Sequence, residues 1–167
     1  MKAPVPGRTC GTCTLCCKLL RIPELDKPQG AWCPHCAPAR GCNRYDTRPG
    51  SCRAFHCGYL LSEFVSEDWL PSKCRIVLVE EPTGITAVVD RDRPDAWKAE
   101  PYYSQLKTWA TQGITAQRQV VVRIGSRTVA VLPDRDVDLG QMQPGERVAI
   151  EGRVTPLGMV YDAYRAK

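Results

Sequence analysis

The chain has 167 residues, enough for one domain or two small ones with a modest core. Its 23 Lys and Arg against 18 Asp and Glu leave a formal charge of +5. The positive residues lie scattered among carboxylates, which argues against the basic stripe of a nucleic-acid module. No window approaches the roughly 18 apolar residues of a membrane span. The opening "MKAPVPGRTC" also lacks the apolar segment of a secretory signal, so a cytoplasmic setting is expected.

Cysteine usage divides the chain. All ten cysteines fall between Cys10 and Cys74. Residues 1–74 are rich in Pro and Gly with little periodicity, and such a segment buries too little apolar surface to order itself unaided. The expectation is a small, irregular, metal-stabilised cysteine-rich half, 1–74, followed by a β-rich half, 75–167. The fold class is then α+β.

In chain order, "RIVLVEE" and "GITAVVD" read as strands joined by a turn at Pro-Thr-Gly. "PYYSQLKTWATQG" places Tyr102, Leu106, Trp109 and Ala110 on one helical face, so a helix is expected near 101–112. Pro101 suits its first turn and Gly113 its C-terminal cap. "RQVVVRI" and "RTVAVLP" form a hairpin around Gly125-Ser126, and "ERVAIEGRV" and "LGMVYDAYR" close the chain. Five or six strands are expected, mostly antiparallel because the connections are short. Trp97 and Trp109 are read as core, by the burial preference of aromatic residues. Nothing in this half looks catalytic, and it reads as a scaffold or docking module.

The chemistry is in the thiols. Their spacing is Cys10-x2-Cys13-x2-Cys16-Cys17, then Cys33-x2-Cys36-x5-Cys42-x9-Cys52-x4-Cys57, with Cys74 apart. A reducing compartment rarely keeps structural disulfides, which turns attention to metal or redox chemistry. Paired CxxC knuckles are a structural zinc pattern, because a two-residue gap lets a tight turn aim both thiolates at one ion. CxxCxxC is also the three-cysteine spacing of ferredoxin-type iron–sulfur clusters. Nine thiols exceed the four that one tetrahedral ion takes, so two sites, or one site plus a cluster, are the economical account. In an extended backbone Cys16 and Cys17 would point to opposite faces, and would serve different centres or leave one as ligand and the other beside the metal or buried. Zinc and iron both suit thiolates, with an iron–sulfur cluster slightly favoured at the first group.

"WCPHC" matches some thioredoxin-fold oxidases, but that chemistry needs a strand before it and a long helix after it. "IPELDKPQGA" is no buried strand, and Pro38 and Gly41 interrupt a helix, so the metal knuckle is preferred. His35 and His56 lie in the same region, and His56 is the better candidate for a place beside the metal. Arg48 and Arg53 would offset thiolate charge. Cys74 reads as a buried free thiol.

Two motifs together carry a resemblance: "CGTCTLCC", then Cys42, Tyr45, Arg48, Pro49, Cys52, Arg53 and Phe55 in "GCNRYDTRPGSCRAF". They resemble the YkgJ-type cysteine-cluster family, the CxxCxxCC zinc- or iron-chelating domain, over about residues 10 to 60. The resemblance implies a bacterial metal-binding domain. A similar cysteine block occurs in flagellin lysine methylases, where it is linked with an iron–sulfur cluster. No glycine-rich cofactor loop of a methyl-donor site is visible here.

The expected function is therefore a metal-binding protein, non-catalytic or accessory, holding zinc, iron or an iron–sulfur cluster on Cys10, Cys13, Cys16, Cys17, Cys33, Cys36, Cys42, Cys52 and Cys57. Two alternatives stand beside it. One is an iron–sulfur redox or radical enzyme, and the other is a zinc-stabilised adaptor for a protein or RNA.

Overall fold

The N-terminal segment folds as a series of single turns, as its Pro and Gly content dictates. In the computed structural model, which describes residues 3–167, α1 (Leu15–Leu19) is followed by a 3-10 turn at Pro23–Leu25 and a two-stranded ribbon of β1 (Cys36–Ala37) and β2 (Gly41–Cys42). Then come α2 (Gly50–Ala54), α3 (Gly58–Leu61) and α4 (Pro71–Cys74). These helices are too short to persist alone, since nucleating a helix costs more than its first hydrogen bonds return. They are held by packing. Leu15, Leu19, Tyr59 and Leu60 join one apolar cluster with Ile76 and Leu78 of the neighbouring sheet.

From Ile76 on, β-branched alternation gives strands β3 (Ile76–Glu81), β4 (Gly84–Val89), β5 (Gln119–Ile124) and β6 (Arg127–Val131). With β7 (Asp136–Gln141) they form one sheet in chain order. Gly84 has φ +146°, and a Cβ there would stand 1.9 Å from the Gln119 carbonyl oxygen. A side chain is excluded where β4 begins beside β5. A last hairpin, β8 (Arg147–Thr155) and β9 (Gly158–Ala166), forms a separate two-stranded sheet.

The chain is α+β, with mostly antiparallel sheets and one mixed sheet. The exception is the β4–β5 pair, which is parallel. Its connection carries α5 (Tyr102–Thr115) across the sheet, and a parallel pair requires such a crossover. The expectation of short connections held at the hairpins and failed here.

Helix α5 runs three residues past the expected 112, and Gly113 lies inside it. The close approach of Arg118, whose carbonyl would be 2.4 Å from a Cβ on Gly113, accounts for the glycine. Pro101 is the cap before the helix, its carbonyl accepting the Gln105 amide at 3.1 Å. Strand β7 was missed because Asp136 and Asp138 are poor strand formers. Its apolar residues Val137 and Leu139 nevertheless alternate with them and pack against the last hairpin.

The sheet buries both faces. Val129 and Val131 point into the cluster shared with α5 and the N-terminal turns, while Ala130 joins Leu132 and Ala163 on the other side. Trp97 is buried, and Trp109 stacks on the fully buried Trp69 at 5.1 Å. Among the described residues no helix is long and apolar enough to cross a membrane.

Candidate metal centre

All ten cysteines are free thiols. Every one from Cys10 to Cys57 except Cys36 lines a single cavity of about 440 Å³, so residues spread over 48 positions meet in space. Its remaining wall is partly apolar, with Leu20, Ile22, Phe55, Leu60 and Val77. Arg21, Arg44 and Arg48 also reach it, and no Asp or Glu among the described residues does.

Both CxxC units are tight turns. The Cys13 amide donates to the Cys10 carbonyl at 2.8 Å, and the Cys36 amide to the Cys33 carbonyl at 3.0 Å. The backbone joins the second turn to α1 through the Cys33 amide, which donates to the Cys17 carbonyl at 3.1 Å. Cys52 sits on α2, whose first turn is held from outside. Glu24 accepts the Ser51 amide at 2.8 Å and its hydroxyl at 2.7 Å. Cys57 precedes α3 and is buried.

The vicinal pair lies in helical backbone, not the extended backbone expected. Successive helical side chains diverge by about 100°, not 180°, so both thiols stay on the cavity side. The hydrogen bond to Cys16, then burial and the Cys16 charge, hold the Cys17 thiol far above its ordinary range. Burial and the neighbouring Cys17 push Cys36 up to about 11, and burial above all does the same for Cys57. Crowding raises thiol pKa values, because each thiolate disfavours the next.

The donor set fits a soft metal: thiols throughout, no competing carboxylate and cationic side chains around them. Among the described residues, no three Cys, His, Asp or Glu side chains stand as ligands of one ion would.

His35 and His56 both line the cavity, and Arg44 approaches His35 Nε2 at 3.5 Å. Arg48 lies 3.8 Å from the centroid of the Tyr45 ring. Desolvation and Cys13 raise the Cys10 thiol, and the Arg48 guanidinium pulls it the other way. Arg53 is exposed and does not line the cavity. Cys74 is buried outside it, and its thiol donates to the Ile76 carbonyl at 3.3 Å.

One residue escaped the sequence reading altogether. Lys27 is only 4% exposed, although "PELDKPQG" has the composition of a surface loop. The isolated bridge between Ile22 and Lys27 fixes the loop that turns it inward. Only that tertiary placement distinguishes it.

Comparison with family models, with curated proteins and with solved structures finds no match.

Proposed function

We propose that this chain is a metal-binding cysteine-cluster protein of the YkgJ type, with an accessory and non-catalytic role in a cytoplasmic, bacterial setting. Thiolates among Cys10, Cys13, Cys16, Cys17, Cys33, Cys36, Cys42, Cys52 and Cys57 bind zinc or iron, with an iron–sulfur cluster favoured at the CxxCxxC group. The observation that carries this reading is the convergence of eight thiols on one cavity without a carboxylate. Bound metal would replace the protons of its thiol ligands and tie together turns that are too short to be stable alone.

A second reading, a cluster-based redox enzyme, is favoured by the cavity's size and partly apolar wall, which leave room for a small molecule beside the thiols.

The test is metal and acid-labile sulfide content, with a visible spectrum, on protein purified without oxygen. Brown protein with iron and sulfide supports the cluster and advances the redox reading. Colourless protein with one or two zinc ions supports a structural site. Protein that binds neither metal, even after reconstitution, overturns the proposal.

A further inference from the structure

The last hairpin has one apolar face and one charged face. Side chains alternate along each strand, and directly opposed residues share a face. Val148, Ile150 and Val154 of β8 therefore lie on the side of Met159, Tyr161 and Ala163 of β9. The half of this face nearest the hairpin's base is covered, since Val148, Ile150, Tyr161 and Ala163 pack with Leu132 and Leu139. The other half is not. Val154 is 83% exposed, Met159 54%, and Leu157 in the turn 99%. A free two-stranded ribbon is marginal in water, and an unpaired strand edge is a template for another strand.

The open edge belongs to β8. Among the described residues it pairs with β9 alone, whereas β9 is tied at its base to β7, where Arg165 donates to the Gln141 carbonyl at 3.2 Å. The exposed part of β8 is Glu151, Gly152, Arg153 and Val154. With Ile150 in front, an apolar residue and an anion precede Gly152, and a cation and an apolar residue follow it. Two β8 strands paired antiparallel about a two-fold axis must set this order against its own reverse. Centred on Gly152, the pair opposes Glu151 to the partner's Arg153 and Ile150 to the partner's Val154, each twice. Centred on Glu151 or on Arg153, it opposes like charges, which is destabilising. Within one chain Glu151 accepts the Tyr164 hydroxyl but stands opposite Asp162, itself a like-charge pair. Arg153 makes no ion pair among the described residues. The Gly152 register supplies a cation to the first and an anion to the second.

The same register brings the partner's turn to a cleft. It sets the partner's Leu157 beside Arg147 and Val148, which line a cleft of about 150 Å³ between the hairpin and the sheet. Ile85 and Val121 also line it, so the exposed leucine of one copy meets apolar surface of the other.

We propose that this chain forms a two-fold homodimer by antiparallel pairing of its β8 edges, centred on Gly152. Glu151 pairs with the partner's Arg153 across the junction, and Leu157 seats against the partner. The two hairpins become one four-stranded sheet in which neither β8 edge is open. The thiols take no part.

The test is sedimentation velocity of the full chain, with a thiol reductant present so that no disulfide links the copies. Wild type is expected at twice the 18.6 kDa mass of the chain. A wild type that stays monomeric up to its solubility limit overturns the proposal. Glu151→Arg and Arg153→Glu each oppose like charges twice, and each is expected to weaken the dimer about ten-fold or more. Mixed in equal amounts, one chain presents two cations and the other two anions, so every cross pair is opposite in sign. Native mass spectrometry should then show the mixed dimer in preference to either homodimer. The double variant Glu151→Arg/Arg153→Glu should dimerise as wild type does.

Single variants that dimerise as tightly as wild type overturn the register, and so does a mixture that stays monomeric. Leu157→Asp alters only an exposed turn residue, and is expected to weaken the dimer by a similar factor with an unchanged circular dichroism spectrum. If the charge variants do not fold, Leu157→Asp decides the matter, and a dimer indifferent to it overturns the proposal.

Discussion

The ammonium of Lys18 lies 2.8 Å from a carboxylate oxygen of Asp90, and Asp90 is fully buried at the end of β4. Lys18 directly follows the Cys16–Cys17 pair, so this ion pair fastens the cysteine helix to the sheet. Arg75 bonds the other oxygen of the same carboxylate, and Asp92 takes part from the surface. Removing the carboxylate leaves the Lys18 ammonium without its buried partner. Asp90→Ala is expected to lower stability by about 3–5 kcal/mol, read by urea denaturation.

The same carboxylate predicts an acid limit. Burial alone would raise its pKa, but hydrogen bonds from Lys18 and the Asp92 amide, with the Arg75 charge, hold it below its ordinary value. A lowered carboxyl contributes stability above the unfolded-state pKa and loses it as pH falls through the folded value. The denaturation midpoint should therefore fall below about pH 4. In Asp90→Asn, less stable at neutral pH, that part of the acid loss should be missing.

Cys74 predicts an alkaline limit. Burial pushes its thiol from the ordinary 9.0 up to about 12. A group raised in the folded state contributes stability that is complete below its unfolded pKa and is lost as pH rises through the folded one. Stability should decline between pH 9 and about 12, and Cys74→Ala should remove that share of the decline. At pH 8, Cys74 in the folded protein should also resist alkylation until denaturant is added, as mass spectrometry would show.

Gly58, next to Cys57, allows α3 to lie on β3. A Cβ at this position would stand 2.8 Å from the Leu78 Cβ, which has no free end to swing aside. Gly58→Ala is expected to cost about 1–3 kcal/mol by overpacking. It should also weaken metal binding at the neighbouring thiols, measurable by zinc titration against a competing chelator.

Metal removal should act locally. The turns of residues 10–57 are short, whereas the five-stranded sheet is held by paired strands and buried valines. Chelation should raise amide exchange in 10–57 and leave β4 to β6 protected. Equal loss of protection in the sheet would mean that the metal holds the whole fold.

Much of the second half was legible because its information is local. Val120 to Val122, and Val129 with Val131, carry their strand preference in their own side chains, and Gly125 marks the turn between them. The thiol spacing was likewise enough to suggest metal chemistry, since a CxxC turn brings its two sulfurs together without help from the rest of the chain. The parallel β4–β5 pair was not legible. It depends on α5 crossing the sheet, a long-range choice that neither strand encodes. Strand β7 exists because a hairpin covers Val137 and Leu139, against the local preference of its aspartates. Lys27 is the clearest case. Its sequence neighbours describe a solvated loop, and only the folded chain removes its water and turns its ammonium to the Lys18 and Leu20 carbonyls. Ligand chemistry follows from residue type and spacing, but the charge environment of a site is set by whatever residues the fold brings around it.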